Sequence, residues 1–182
     1  NGSAFTNLGG SIAVNGQNIT LMITDSSSSI NLSTPFTVNS APGSTYVVGN
    51  MIGGDFYNNT SATLGSNGSL INGIGTAALF GLSSNINSTG TNVSGMVLSG
   101  QHSGVPGHVV AGSGITVNEE GTNLGSITLG DSSAGMYLTG GARGRNEGTI
   151  TLTNNSVGIY AEGAGSHIVN NNGIITIGQE ST

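Results

Sequence analysis

The C-terminal third of the chain repeats at intervals of 23 and then 25 residues. The segment NLGSITL at 123–129 returns as NEGTITL at 146–152 and as NNGIITI at 171–177. A unit this short cannot bury its apolar side chains alone, so it must stack on neighbouring copies. The repeat therefore predicts a solenoid, in which each residue lies above its equivalent in the previous unit.

The residues of each repeat unit predict short β-strands. A second segment also recurs at 23 residues, at 134–138 and 157–161, with an apparent earlier copy at 94–98. Residues 114–117 look like an earlier copy of the first segment. These runs are rich in β-branched residues and are bounded by Gly, Asn, Ser or Pro, as strands and turns are. A helical period is missing, so we expect an all-β chain.

We expect a right-handed parallel β-helix with coils of about 20–25 residues. Residues 1–122 would form less regular coils and residues 123–182 regular repeats of 23–25 residues, all in one continuous solenoid. At this period the chain holds about eight coils, a rod roughly 40 Å long. Alternation along the strands predicts apolar stacks inside the rod, namely Ile127, Ile150 and Ile175, and beside them Leu129, Leu152 and Ile177. Asn and Gly at the corners would accept positive φ, and stacked Asn amides would bond to one another.

Composition excludes several classes of function. More than half of the residues are Gly, Ser, Asn or Thr, and only two of the 182 are cationic. Nucleic acid and anionic membranes are therefore not expected partners, because phosphate groups need basic side chains. The chain has no Cys and no apolar run long enough to span a bilayer as a helix.

The unit that starts at Asn146 resembles a known family. Its pattern, NEGTITL followed by NSVGIY at 155–160, is similar to repeats in passenger domains of type V autotransporters, surface adhesins of Gram-negative bacteria. The match covers about residues 123–178. Residues 1–122 share with it only the general pattern of short apolar segments between Gly, Asn and Ser residues. The resemblance implies a secreted surface protein, anchored through an outer-membrane β-barrel outside this chain. Since neither a barrel-like segment nor a signal pattern is visible, the chain would be a fragment of that protein.

Candidate catalytic groups are sparse, and we expect no enzyme activity and no cofactor. Asp25, Asp55 and Asp131 are far apart in the sequence, and the adjacent pair Glu119–Glu120 would point to opposite faces of a strand. We expect these acids to be solvated loop residues. His102 and His108 flank a Gly- and Pro-containing segment at a spacing that fits no common metal motif, which predicts a loop insertion and no metal site.

The candidate ligand-binding residues are two tyrosines and two arginines. Tyr137 and Tyr160 occupy equivalent outward positions of neighbouring coils, so they should stack. Exposed aromatic rings bind sugar faces or anchor protein partners. Arg143 and Arg145, placed in the turn after Tyr137, would complete the patch; alternatively the arginines pair with Glu147 or Glu162 and the tyrosines are only structural.

The leading hypothesis is a non-enzymatic segment of a bacterial adhesin, outside the cell, which attaches to host or bacterial surface proteins or glycans along its side. The main alternative is a structural subunit that associates end to end into a filament. A β-helical polysaccharide enzyme and an ice-binding protein remain further alternatives. The second of these is suggested by a file of threonines at 128, 151 and 176 that breaks at its neighbouring positions.

Overall fold

The structure, a computed structural model, describes residues 4–6, 9–170 and 172–182. Asn171, the first residue of the third repeat copy, lies outside these residues. Within them the fold is all-β, with three parallel sheets and one short antiparallel hairpin. The predicted parallel β-solenoid is confirmed.

Each coil contributes one strand to the first, the second and then the third sheet, except the last described coil, which contributes only to the first two. The first sheet contains β1 (Ala4–Thr6), β4 (Ser29–Leu32), β7 (Asp55–Asn58), β10 (Ala77–Phe80), β15 (Gly121–Asn123), β18 (Arg143–Asn146) and β21 (His167–Asn170). The second contains β2 (Gly10–Val14), β5 (Phe36–Ser40), β8 (Ser61–Thr63), β11 (Asn85–Asn87), β16 (Ser126–Leu129), β19 (Thr149–Leu152) and β22 (Ile174–Thr176). The third contains β3 (Ile19–Thr24), β6 (Tyr46–Ile52), β9 (Gly68–Ile74), β12 (Val93–Ser99), β17 (Ala134–Thr139) and β20 (Val157–Ala161).

One insertion interrupts the regular coils. Ser126 pairs with Asn85, 41 residues earlier, whereas Asn123 and Asn146 on adjacent coils are 23 residues apart. The extra residues, 100–120, form a loop that contains the hairpin β13 (His108–Val109) and β14 (Thr116–Val117). The predicted loop insertion is therefore confirmed. Residues 114–117 are not a copy of the first repeat strand, since they pair antiparallel within this loop. Because the insertion consumes chain length, about seven coils form instead of eight.

The predicted registry of the repeats is confirmed. Ile127 pairs with Ile150, and Ile150 pairs with Ile175. Ile127 and Ile150 are fully buried, whereas Ile175, in the last coil that the structure describes, is 38% exposed. Burial of such apolar ladders is the main force that holds a solenoid together.

The corners of the coils behave as the composition predicts. Asn18, Asn67, Asn92 and Asn155 all adopt positive φ, which asparagine tolerates better than most residues. Inside the rod the Asn123 side-chain amide donates to Asn146 Oδ1 at 2.8 Å. Such bonds between equivalent side chains satisfy polar groups that the stacking of coils buries.

Candidate functional site

The two predicted tyrosines stack on the outer face of the third sheet. Tyr137 on β17 pairs in register with Tyr160 on β20. Their ring centroids are 5.0 Å apart and the ring planes differ by 15°. Tyr160 is 39% exposed and Tyr137 is half-buried. The predicted stack is therefore present on the surface of adjacent coils.

One carboxylate fixes both tyrosines. The Tyr137 hydroxyl donates to Glu162 Oε1 at 3.1 Å, and the Tyr160 hydroxyl donates to Glu162 Oε2 at 3.0 Å. Hydrogen bonding to Glu162 is the largest cause that raises the pKa of both phenols above the usual value, and burial and the negative charge of Glu162 raise it further. Both rings are thus neutral and oriented before any partner arrives.

The sequence predicts both arginines in the turn after Tyr137, and this prediction is wrong. They lie on β18, a strand of the first sheet, because a short strand forms there against β15 and β21. Arg143 donates from Nε and Nη2 to the two oxygens of Glu120, at 3.0 and 2.9 Å. Arg145 pairs with Glu147, as one alternative predicted, and its Nη1 lies 3.8 Å from Glu119. Both guanidinium groups are therefore neutralised within the domain.

Glu119 and Glu120 are not solvated, contrary to the prediction. Glu120 has no exposed surface and Glu119 is 8% exposed. Burial by itself raises the pKa of Glu120, but hydrogen bonds from the Arg143 side chain and main chain, together with the Arg143 charge, outweigh it and lower the pKa below its usual value. Arg143 follows Glu120 by one 23-residue period, but the sequence places Arg143 in a turn, and this placement leaves Glu120 without a predicted partner.

A second cluster joins the insertion to the third coil. Asp55, the first residue of β7, is only 8% exposed, so the expectation of a solvated Asp55 is also wrong. His108 Nε2 lies 2.7 Å from Asp55 Oδ1, and His102 Nε2 lies 3.9 Å from the same oxygen. The two imidazole rings are 4.4 Å apart between centroids. Three groups separated in the sequence therefore converge at one point.

Several contacts hold this cluster in place. The Ala111 main-chain N–H donates to Asp55 Oδ2 at 2.9 Å, and His108 contacts Oδ1. Both carboxylate oxygens of Asp55 therefore contact the insertion. Burial, followed by electrostatic repulsion from His108, lowers the pKa of His102, and these effects outweigh the opposing ones of Asp55 and Glu120. His102 is therefore a neutral imidazole near pH 7, with a lone pair on one ring nitrogen.

The cluster opens into a cleft of about 320 Å³. Four consecutive serines, Ser26 to Ser29, and residues of the insertion line this cleft. Gly54, with φ of +69°, also lines it, and a Cβ there would overlap the carbonyl oxygen of Ser28. Only glycine lets the chain turn this tightly directly before Asp55.

A larger groove of about 510 Å³ crosses the N-terminal ends of β3, β6, β9 and β12 in the third sheet. Polar residues of successive coils line it, such as Thr20, Asn67 and Ser94, together with Ile19, Tyr46 and Val47. Asn92 donates from its amide to Asn67 Oδ1 at 3.0 Å, which orders one edge. The groove and the tyrosine stack therefore share one sheet.

Sequence reasoning missed the Asp55 cluster. Asp55 and His108 are 53 residues apart, and the repeat period relates neither to the other. The one available signal was the pair of histidines inside a segment that breaks the period.

The described residues contain no helix that is long and apolar enough to cross a membrane.

The described residues form a parallel β-helix domain with a stacked aromatic pair on one sheet and a polar cleft beside a large insertion. The chain belongs to the family of the BigA third pectate lyase-like domain, whose family model matches residues 1–182. No curated protein and no solved structure matches the chain.

Proposed function

We propose that this domain is a non-catalytic stretch of a bacterial surface adhesin, and that the outer face of its third sheet contacts host or bacterial surface proteins or glycans. The family is named for BigA, an autotransporter-like adhesin, which supports this assignment. An extracellular location, with the outer-membrane anchor outside these residues, belongs to the same proposal.

The observation that carries the proposal is the stack of Tyr137 and Tyr160. Flat aromatic surface is what carbohydrate rings and protein anchors bind, and tyrosine loses little conformational entropy on contact. Glu162 orders the two rings before binding, which lowers that loss further. Arg143 and Arg145 lie on the neighbouring sheet in ion pairs, so we assign the contact to the tyrosines.

The domain's charges support the absence of catalysis. β-Helical polysaccharide enzymes need clustered carboxylates for calcium or acid–base work, often with a basic side chain that takes the proton. Both arginines are engaged by glutamates, and the chain has no lysine. We expect no release of unsaturated sugars from polygalacturonate, measured by ultraviolet absorbance with and without calcium.

The test is a comparison of surface variants in binding assays. The purified domain, coupled to beads, is applied to glycan arrays and to cultured host and bacterial cells. The double variant Tyr137→Ala/Tyr160→Ala should lose most binding, whereas Tyr137→Phe/Tyr160→Phe, which keeps the rings, should retain most of it. The matched control is Ile74→Ala, a 58% exposed residue of the same sheet. Equal binding by the double alanine variant and the wild type would contradict the proposal.

End-to-end association is a second candidate role, favoured by the last described coil. Ile174, Ile175 and Ile177 there are 61%, 38% and 38% exposed, and β22 has one unpaired edge. A further coil, in the same polypeptide or in a second copy, would cover them. Sedimentation velocity at increasing concentration distinguishes a further coil of the same polypeptide from a second copy, since only association of copies produces larger species. Ile174→Asp should abolish these larger species.

A further inference from the structure

We infer that Asp55, His102 and His108 bind a divalent transition-metal ion of the zinc type, in a site that joins the insertion to the third coil. Among the described residues, these three form the one group of potential ligands whose donor atoms all lie within 4.8 Å of one another. This inference is independent of the proposed adhesive surface, which lies elsewhere.

The donor set selects the class of metal. Two imidazole nitrogens and one carboxylate oxygen are a common three-residue set for zinc, which then takes water or another ligand in a fourth position. Calcium and magnesium prefer all-oxygen sites, and thiolate-seeking ions have no partner here because the chain has no cysteine. The site therefore fits Zn²⁺, Co²⁺ or Ni²⁺.

The distances also fit such an ion. Ligand atoms about 2.0–2.1 Å from a tetrahedral metal are roughly 3.3–3.4 Å from one another. The separations from Asp55 Oδ1 to the Nε2 atoms of His108 and His102 are 2.7 and 3.9 Å, which bracket that value. Small side-chain movements in the insertion would therefore be enough to equalise them.

Several contacts position the three potential ligands. Asp55 Oδ2 already accepts the Ala111 N–H, which leaves Oδ1 directed at both imidazoles. Gly104 has no side chain, where a Cβ would lie 2.7 Å from His108 Nδ1. Its N–H donates to His102 Nδ1 at 3.1 Å, which places the proton of the neutral ring on Nε2. Metal binding through Nε2 therefore moves that proton to Nδ1 and gives up this exposed hydrogen bond. The serine-lined cleft gives room for a water molecule or a partner's carboxylate in the fourth position.

The test uses tag-free domain, treated with chelator and dialysed. Titration with Zn²⁺ by calorimetry should give one site per chain with micromolar or tighter affinity. Co²⁺ should give the intense visible bands of a tetrahedral complex. His102→Gln and His108→Gln should each weaken binding by at least about 100-fold. His167→Gln, an exposed histidine on β21, is the matched control and should change nothing.

A measurement on the unaltered protein guards against variants that misfold. In spectra of the histidine ring nitrogens, Zn²⁺ should shift His102 and His108 but not His167. Absence of a binding event, binding that the two variants retain, or a shift of His167 alone would each overturn the inference.

Discussion

The carboxylate of Glu120 accepts hydrogen bonds from three N–H groups of Arg143, which lies one coil further along the chain. Its Oε2 accepts the Arg143 main-chain N–H at 2.8 Å and Nε at 3.0 Å, while Oε1 accepts Nη2 at 2.9 Å. Oε1 also accepts the His102 main-chain N–H at 3.3 Å. A fully buried acid thereby links the end of the insertion, its beginning and the next coil.

Loss of the Glu120 charge should destabilise the domain strongly. Glu120→Gln leaves the Arg143 guanidinium, only 18% exposed, without its counter-ion, and removal of one partner from a buried pair costs about 3–5 kcal/mol. The control is Glu147→Gln at the more exposed pair with Arg145, where about 1 kcal/mol or less is expected. Chemical denaturation of both variants measures the free energies of unfolding, and equal values would contradict this account.

The same ion pair predicts an acid dependence of stability. Because the pKa of Glu120 is lower in the folded protein than its usual 4.5, its contribution is present above about pH 4.5 and is lost as the pH falls through the lowered pKa. Free energies of unfolding measured from pH 7 to pH 3 should fall less steeply in Glu120→Gln than in the wild type. Parallel curves for the two proteins would show that the carboxylate is not ionised and paired.

The tyrosine stack should titrate at unusually high pH. Hydrogen bonds to Glu162 raise the pKa of Tyr137 and Tyr160 above 10.0, so their contribution to stability is present below pH 10 and is lost as the pH rises through the raised values. Glu162→Gln removes the charge and should lower both pKa values. Tyr46, whose pKa is raised chiefly by burial, is the internal control and should not move. Spectra of ring-labelled tyrosine follow each residue, and an unchanged Tyr160 would argue against the shared carboxylate.

The inward ladder should show the effect of position within the rod. Ile150→Ala removes side-chain atoms that are fully buried between two coils and should cost about 2–5 kcal/mol. Ile175→Ala, at the same register position but 38% exposed, should cost roughly 1 kcal/mol or less. Equilibrium unfolding compares the two, and a larger loss at Ile175 would mean that another element covers the last coil.

The insertion should be held down by its own apolar cluster. Val105, Val110 and Val117 pack against Ala77 and Leu79, on the outer face of the first sheet. Val110→Ala should cost about 2 kcal/mol locally and speed amide hydrogen exchange in residues 104–117 while the coils stay protected. Its neighbour Val109, 53% exposed, supplies the control Val109→Ala. Similar exchange in both variants would show that the cluster does not anchor the loop.

The repeats made much of the fold predictable from the sequence alone. A strand alternates its faces with a period of two, and a fixed interval places equivalent residues above one another, so Ile127, Ile150 and Tyr137 could be assigned a side and a neighbour. The same logic predicted the parallel sheets, the polar corners and the stack of Tyr137 on Tyr160.

What the sequence could not determine lies where the period breaks. The meeting of Asp55 with His102 and His108 depends on how residues 100–120 fold back over the coils. No repeat relates these three residues, because a loop's path is set by long-range packing and by satisfaction of buried charges. Glu120 and Arg143 are one 23-residue period apart, but their pairing requires Arg143 to lie on a strand, where the sequence predicted a turn. The sequence by itself determined the rod and its ladders, and only the tertiary structure decided which charged groups the insertion buries.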